Sequence, residues 1–280
     1  MLSDVRLNGY NAKGLVATRL ALFALATAAM VLGGCASLPE RADFVADEAG
    51  FASLQLRGGP FSLQGYEREA SGTHARVYIE GDGRPWRAGG RVVSDDPTPR
   101  RLLALDWMRK VPGPALYLGR PCYFASMVEP ECKPMLWTYG RYSETVVQSL
   151  AAGLESWLRT RPQIKSLTLV GHSGGGVLAL LLAERVTLVE EVIAVSTPVD
   201  IDIWTQLHGY TPLFASLNPS QLQAWRGGVE RRIYFGEQDR QVPPDSFVQA
   251  ARSIGASVTV VEDKGHDCCG PDIWFVGHDG

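Results

Sequence analysis

The chain has 280 residues, 45% of them hydrophobic and 20% charged. That is enough for one large domain plus a targeting segment, and too apolar for intrinsic disorder. A formal net charge of -3 and a pI near 6.0 exclude the clustered Lys and Arg surface that phosphate neutralisation demands, so nucleic acid is not an expected partner.

The first residues are of a different kind from the rest. Lys13 and Arg19 precede an apolar run at 20–32 built of Ala, Leu, Phe, Thr, Met and Val. A basic start followed by a short apolar stretch is the pattern of an export signal. The run falls short of the about 20 apolar residues that a bilayer-spanning helix needs; an uncleaved anchor helix is the alternative. It ends in Leu32-Gly33-Gly34-Cys35, which resembles the lipobox of bacterial lipoproteins. The resemblance implies a signal peptide at 1–34, a lipid on Cys35 and a mature chain exported and held at a membrane of the cell envelope. Ala36 after the cysteine, where Asp is absent, implies the outer membrane. Residues 35–50, polar and without clear period, are expected to be a tether to a single domain at 51–280.

Two alternating runs at 53–57 and 61–68, separated by Gly58-Gly59-Pro60, predict an antiparallel hairpin. A strand at 76–80 runs into Gly81-Asp82-Gly83. Thr98-Pro99 is expected to open a helix through about Lys110, with Thr as N-cap and Pro at the first helical position. A short strand at 115–118 follows. In the helix expected at 143–159, Val146, Leu150, Leu154, Trp157 and Leu158 fall on one stripe. Strands at 166–170, 189–195, 231–235 and 256–261 then alternate with helices at 174–185 and 244–254. Such alternation implies a mostly parallel sheet covered on both faces, an α/β fold.

Four cysteines remain beyond Cys35. Cys122 and Cys132 bracket a turn-rich loop and are expected to pair, because a short local bridge is the easiest geometry to satisfy. Cys268 and Cys269 are adjacent, and either a bridge between them or a pair of buried thiols is open. A metal site from His266, Asp267, Cys268 and Cys269 fits the usual C-x-x-C spacing poorly, and no metal is expected.

Gly171-His172-Ser173-Gly174-Gly175 lies between an apolar strand and an apolar helix. A nucleophile elbow bends sharply enough to lift its Ser hydroxyl above the sheet, and the bend requires small residues two before and two after the Ser. Gly171 and Gly175 meet that need. A serine hydroxyl also needs a base to take its proton, and the chain offers His74, His172, His208, His266 and His278. Asp239 stands in Phe235-Gly-Glu-Gln-Asp239, and His266 in Val261-Glu-Asp-Lys-Gly-His266, each just past a strand.

Together with Glu80-Gly-Asp-Gly83, these segments resemble α/β hydrolases over about residues 50–275. The resemblance implies Ser173 as nucleophile, His266 as base and Asp239 as its partner, in the chain order Ser, Asp, His. Asp200 and Asp202 are the competing acids. It also implies an oxyanion hole from the amides of Gly174 and Asp82, although Glu80 stands where relatives commonly carry His. His172 is expected to point away from the hydroxyl, and His208 to be available to line a substrate pocket. Arg120-Pro-Cys122, Arg141-Tyr-Ser143 and Ser216-Leu-Asn-Pro219 are similar to segments of exported bacterial α/β hydrolases of undefined substrate. What the resemblance implies is a small-molecule ester or acyl substrate, cleaved without cofactor. A serine peptidase or acyltransferase would use the same residues. A non-catalytic envelope binding protein on this fold is the reading from another class. The insertion at 197–228 is expected to cap the pocket, with Trp204, Leu207, Tyr210, Leu213, Phe214 and Trp225 available to grip an acyl chain or to pack on the core.

Overall fold

The computed structural model describes residues 38–124 and 129–274. The expected signal segment 1–34, Cys35 and His278 lie outside the described residues. Helix α1 (Leu38–Glu48) leads into strands β1 (Ala52–Gly58) and β2 (Phe61–Arg68), the expected hairpin, paired from Ala52 with Glu67 to Gly58 with Phe61. Then come β3 (His74–Ile79), a separate ribbon of β4 (Trp86–Arg87) and β5 (Val92–Val93), α2 (Leu103–Lys110) and β6 (Ala115–Leu118). The second half runs α3 (Glu144–Arg159), β7 (Ser166–His172), α4 (Gly174–Ala183), β8 (Val189–Val195), α5 (Ile201–Leu207), β9 (Glu230–Gly236), α6 (Pro244–Ser253), β10 (Ser257–Val261) and α7 (Pro271–Trp274).

Eight strands form one sheet in the order β1-β2-β6-β3-β7-β8-β9-β10. β2 pairs antiparallel with both neighbours, and the remaining pairings are parallel. Parallel strands covered by helices on both faces read as continuous apolar runs, and from Leu167 onward β7 is buried throughout. All ten residues of α4 are buried, as befits a helix that is apolar all round. The chain leaves β3 on one side for β6 and returns on the other side as β7. Connections that diverge in this way open a crevice beyond the carboxyl ends of the strands, where ligands bind in open α/β sheets.

Two local expectations are corrected. Residues 38–48 are a helix rather than a tether, because Ala42 and Ala46 come up on one face four residues apart and bury completely against the domain, while Asp43 accepts a hydrogen bond from the Tyr66 hydroxyl at 2.8 Å. Helix α2 begins at Leu103, not at Pro99. Thr98 is not its cap: its amide bonds the Asp96 carboxylate, and its hydroxyl accepts from the Phe124 amide at 2.6 Å. The acceptor for the start of α2 is Glu80, whose Oε1 takes the amide protons of Ala104 (2.8 Å) and Leu105 (3.3 Å). A buried helix terminus needs such a partner.

Cys122 and Cys132 form the expected disulfide, with Cα atoms 5.4 Å apart, and Cys268 is joined to Cys269. Replacing Cys122 and Cys132 together by Ser is expected to lower the free energy of unfolding by about 2–3 kcal/mol through the loop-closure entropy returned to the unfolded chain. Urea denaturation of both proteins without reductant measures it.

Candidate active site

Ser173 sits between β7 and α4 with φ 53° and ψ -121°, a left-handed backbone that costs a residue with a Cβ on the order of 1–3 kcal/mol. The surroundings hold it there: its amide donates to the Val195 carbonyl at 2.8 Å, and its carbonyl accepts from Gly176 at 3.0 Å. A Cβ on Gly171 would collide with the Gly175 carbonyl, and one on Gly175 with the carbonyls of Ile79 and Glu80. The bend is therefore packed against itself and against the end of β3.

Asp239 and His266 come from the loops after β9 and β10, parallel neighbours whose last residues pair as Gly236 with Val261. His266 Nδ1 lies 2.9 Å from Asp239 Oδ2 and 3.1 Å from Oδ1. The Asp239 side chain is fully buried, and that of His266 is 26% exposed. Burial pushes the Asp239 carboxyl upward. Hydrogen bonds from His266 and from the amides of Gln241 and Val242 outweigh that cost and hold it below the ordinary carboxylate range. A carboxylate accepts here, so Nδ1 carries a proton and Nε2 is the ring nitrogen that does not face Asp239. The Ser173 hydroxyl and the His266 ring line the same cavity.

The turn after β3 is pinned by acids on both sides of Gly81. Glu80 turns inward to the start of α2. Burial raises its pKa to about 8 against the opposing pull of the Leu105 and Ala104 amides. Asp82 takes Arg120 Nη1 at 2.7 Å on one oxygen, and Arg141 Nη1 at 2.9 Å and the Tyr142 hydroxyl at 2.6 Å on the other. Its carbonyl accepts from the Tyr123 hydroxyl at 3.0 Å. Burial works against the Asp82 carboxylate, yet Arg141 and Arg120 bring its pKa down to about 2. A Cβ on Gly174 would collide with Asp82 Oδ1 and the Tyr142 hydroxyl, so the turn after β3 and the residue after Ser173 touch.

Sequence reasoning singled out the segments around Arg120, Arg141 and Ser216 without assigning them a task. All three converge on this turn. Ser216 accepts from the Tyr142 amide at 3.1 Å, and Leu217 N donates to the Tyr142 carbonyl at 3.0 Å. His172 also belongs to the site. It lines the cavity, stands edge-on to His266 with ring centroids 5.0 Å apart, and donates from Nε2 to the His266 carbonyl at 3.0 Å. Burial, with His266 beside it, lowers its pKa to about 4, so it is a neutral donor at pH 7.

Other candidates fall elsewhere. Asp200 caps α5 through the amides of Asp202 and Ile203 and accepts from Ser220; Asp202 is bonded by Asn218 and Gln221. His74 bonds Ser166 and Thr168. His208 bonds the Gln241 carbonyl at 2.8 Å and stacks on Tyr210. The Cys268–Cys269 bond ties up both thiols of the alternative metal set, and Asp267 is paired with Arg101. Of the apolar cap residues, Trp204, Tyr210 and Leu213 line the cavity, whose volume is about 1000 Å³. Leu207 and Phe214 are exposed, and Trp225 packs on the core beneath the Arg231 guanidinium.

The strand order, the elbow and the loop order define an α/β-hydrolase fold. The chain is similar to the structure of a membrane phospholipase A described as a bacterial virulence factor (15% identity, 91% of this chain and 92% of that one, TM-score 0.55). It is also similar to the Pyrococcus furiosus esterase Pf2001 (12% identity, 79% and 84%, TM-score 0.57) and the Pyrococcus horikoshii acylaminoacyl peptidase (14% identity, 77% and 37%, TM-score 0.50). No protein-family model and no curated protein sequence matches the chain.

Glu80 generates a test of stability against pH. Its folded pKa of about 8 lies above the ordinary value of 4.5, so the folded protein binds more protons between those values and stability falls as pH rises through them. Glu80→Gln keeps the acceptor for α2 and removes the charge. It is expected to flatten that decline and to add about 1 kcal/mol or more at roughly pH 8, measured by urea denaturation across the range.

Proposed function

We propose that the chain is a serine hydrolase that cleaves a carboxylic ester, or a related acyl bond, through an acyl-enzyme on Ser173. The observation that carries the reading is the Asp239–His266 pair in the same cavity as a serine on a strained elbow. Ser173 Oγ attacks the substrate carbonyl carbon while His266 Nε2 takes the hydroxyl proton. Asp239 holds the tautomer and stabilises the imidazolium. The tetrahedral oxyanion is met by the amides of Gly174 and Asp82, each donor contributing on the order of 3 kcal/mol to the transition state. Collapse expels the alcohol, which receives the proton from His266. Water, deprotonated by the same nitrogen, then releases the acid and restores Ser173.

An ester substrate accords with the phospholipase and esterase among the similar structures, and a peptidase is among them too. The cavity beneath the cap, about 1000 Å³, has room for a small, medium or longer acyl group. We place the mature protein in the cell envelope, anchored by a lipid on Cys35; the apolar run at 20–32 and the Leu32-Gly-Gly-Cys35 end support this. No helix among the described residues is long and apolar enough to cross a membrane.

The full chain is expected to react with a fluorophosphonate probe and to hydrolyse p-nitrophenyl esters. Ser173→Ala should abolish both, and Asp239→Asn should reduce kcat by roughly 10⁴-fold. Probe labelling that persists in the alanine variant would overturn the nucleophile, and turnover of acyl-peptide amides without esters would make the enzyme a peptidase. Stable folding with neither labelling nor turnover would leave the binding-protein reading. Metabolic labelling with a fatty acid should mark the wild type and spare Cys35→Ser.

A further inference from the structure

The cavity wall carries four arginines: Arg84, Arg100, Arg101 and Arg141. Two are committed, since Arg101 pairs with Asp267 and Arg141 with Asp82. Arg84 and Arg100 are exposed, and no carboxylate among the described residues forms an ion pair with either. They issue from two backbone segments in direct contact: Arg84 N donates to the Pro97 carbonyl at 2.8 Å, and Gly83 packs against Pro97 and Pro99. The two residues therefore start from one corner of the rim, close to Asp82.

The acids around that corner do not cancel them: Asp95 pairs with Arg87, and Asp96, which accepts from the Thr98 amide, sets one negative charge against Arg84 and Arg100 together. Asp82 is opposed by two guanidinium groups, Arg120 and Arg141, which leaves one positive charge in excess. Asp267 is neutralised by Arg101, and Asp239 faces His266 from beneath. Glu80 lies buried against the start of α2, where burial favours its neutral acid. His172 and His266 add no negative charge. A cavity lined by one sign of charge over low-dielectric walls focuses its field on an entering ion. The remaining wall is aromatic, with Trp86, Tyr139, Trp204 and Tyr210 available to an apolar body.

We propose that this cavity selects substrates bearing an anionic group, a carboxylate or a phosphate, which docks on Arg84 and Arg100 while the ester bond lies at Ser173. The inference deepens the hydrolase reading and rests on it for the position of the ester. A guanidinium fork matches either anion with paired hydrogen bonds, and Trp86 and Trp204 provide a fluorescent report of occupancy.

The test titrates the full chain, followed by tryptophan fluorescence, with phenylacetate, phenyl phosphate and the neutral 2-phenylethanol. At low salt the better anion should bind roughly tenfold tighter than the neutral compound, and the advantage should shrink as salt is raised. The stronger of the two anions tells carboxylate from phosphate. Arg84→Ser combined with Arg100→Ser should erase the difference. Equal binding of all three compounds, or an anion preference that survives the double substitution, overturns the proposal. In kinetics, the ratio of kcat/KM for p-nitrophenyl glutarate to that for p-nitrophenyl valerate should fall in the same variant if the anion sits on the acyl side. A matched pair with the carboxylate on the leaving group covers the other side. An absence of fluorophosphonate labelling would defeat the hydrolase reading alone and leave the binding difference standing, so the two failures are distinct.

Discussion

The carboxylate of Asp82, held between Arg120 and Arg141, is the interaction on which the geometry of the site depends. Its three partners reach it from two places, the end of β6 and the segment before α3, and Ser216 ties Tyr142 in turn to the cap. A carboxylate so buried is tolerated only when its lone pairs are met and its charge opposed. Four groups meet the needs of this one residue, and the consequence is positional. The backbone at Asp82 cannot drift without breaking charged hydrogen bonds in a medium where an unpaired charge is costly. The Cys122–Cys132 bond secures the loop carrying Arg120, which ties a covalent constraint to an electrostatic one.

Glu80 acts from the other side of Gly81. In place of the histidine common at this position, it supplies the acceptor for two amides of α2. Two acids separated by one glycine thus pull in different directions, one into the helix layer and one toward the arginines. A preorganised donor contributes to catalysis because it does not have to reorient when charge develops. Tension of this kind between Glu80 and Asp82 is a way to fix an amide without a side chain of its own in contact with substrate.

How far the molecule was legible in its sequence follows the distance over which each cause acts. The elbow is legible because the small residues it demands all lie within five positions, 171 to 175, and because the strand and helix that flank it carry strong apolar patterns. The positions of Asp239 and His266 follow from chain order, since each stands in the loop just past a strand. The arginine clamp was not legible: Arg120 and Arg141 lie 38 and 59 residues from Asp82, and neither propensity nor period reports such a pairing. The start of α2 was misread for the same reason, because its acceptor stands 24 residues earlier at Glu80. Helix α1 escaped notice because it buries chiefly two alanines, too little apolar mass to make a stripe.

The His266 loop shows what a short β-strand end must add to hold an imidazole ring in place. β10 is only five residues long and lies at the edge of the sheet, so ladder hydrogen bonds alone fix the following loop weakly. Three further restraints act within four residues: Asp239 grips the ring at Nδ1, His172 donates to the backbone carbonyl, and the Cys268–Cys269 bond stiffens the chain just beyond. The middle restraint needs only a proton on Nε2, and burial among Trp107, His266 and the end of β7 keeps the ring otherwise uncharged. A second charged imidazole this close would oppose any positive charge on the His266 ring. The neighbouring histidine can therefore support the loop at close range because its surroundings deny it a charge.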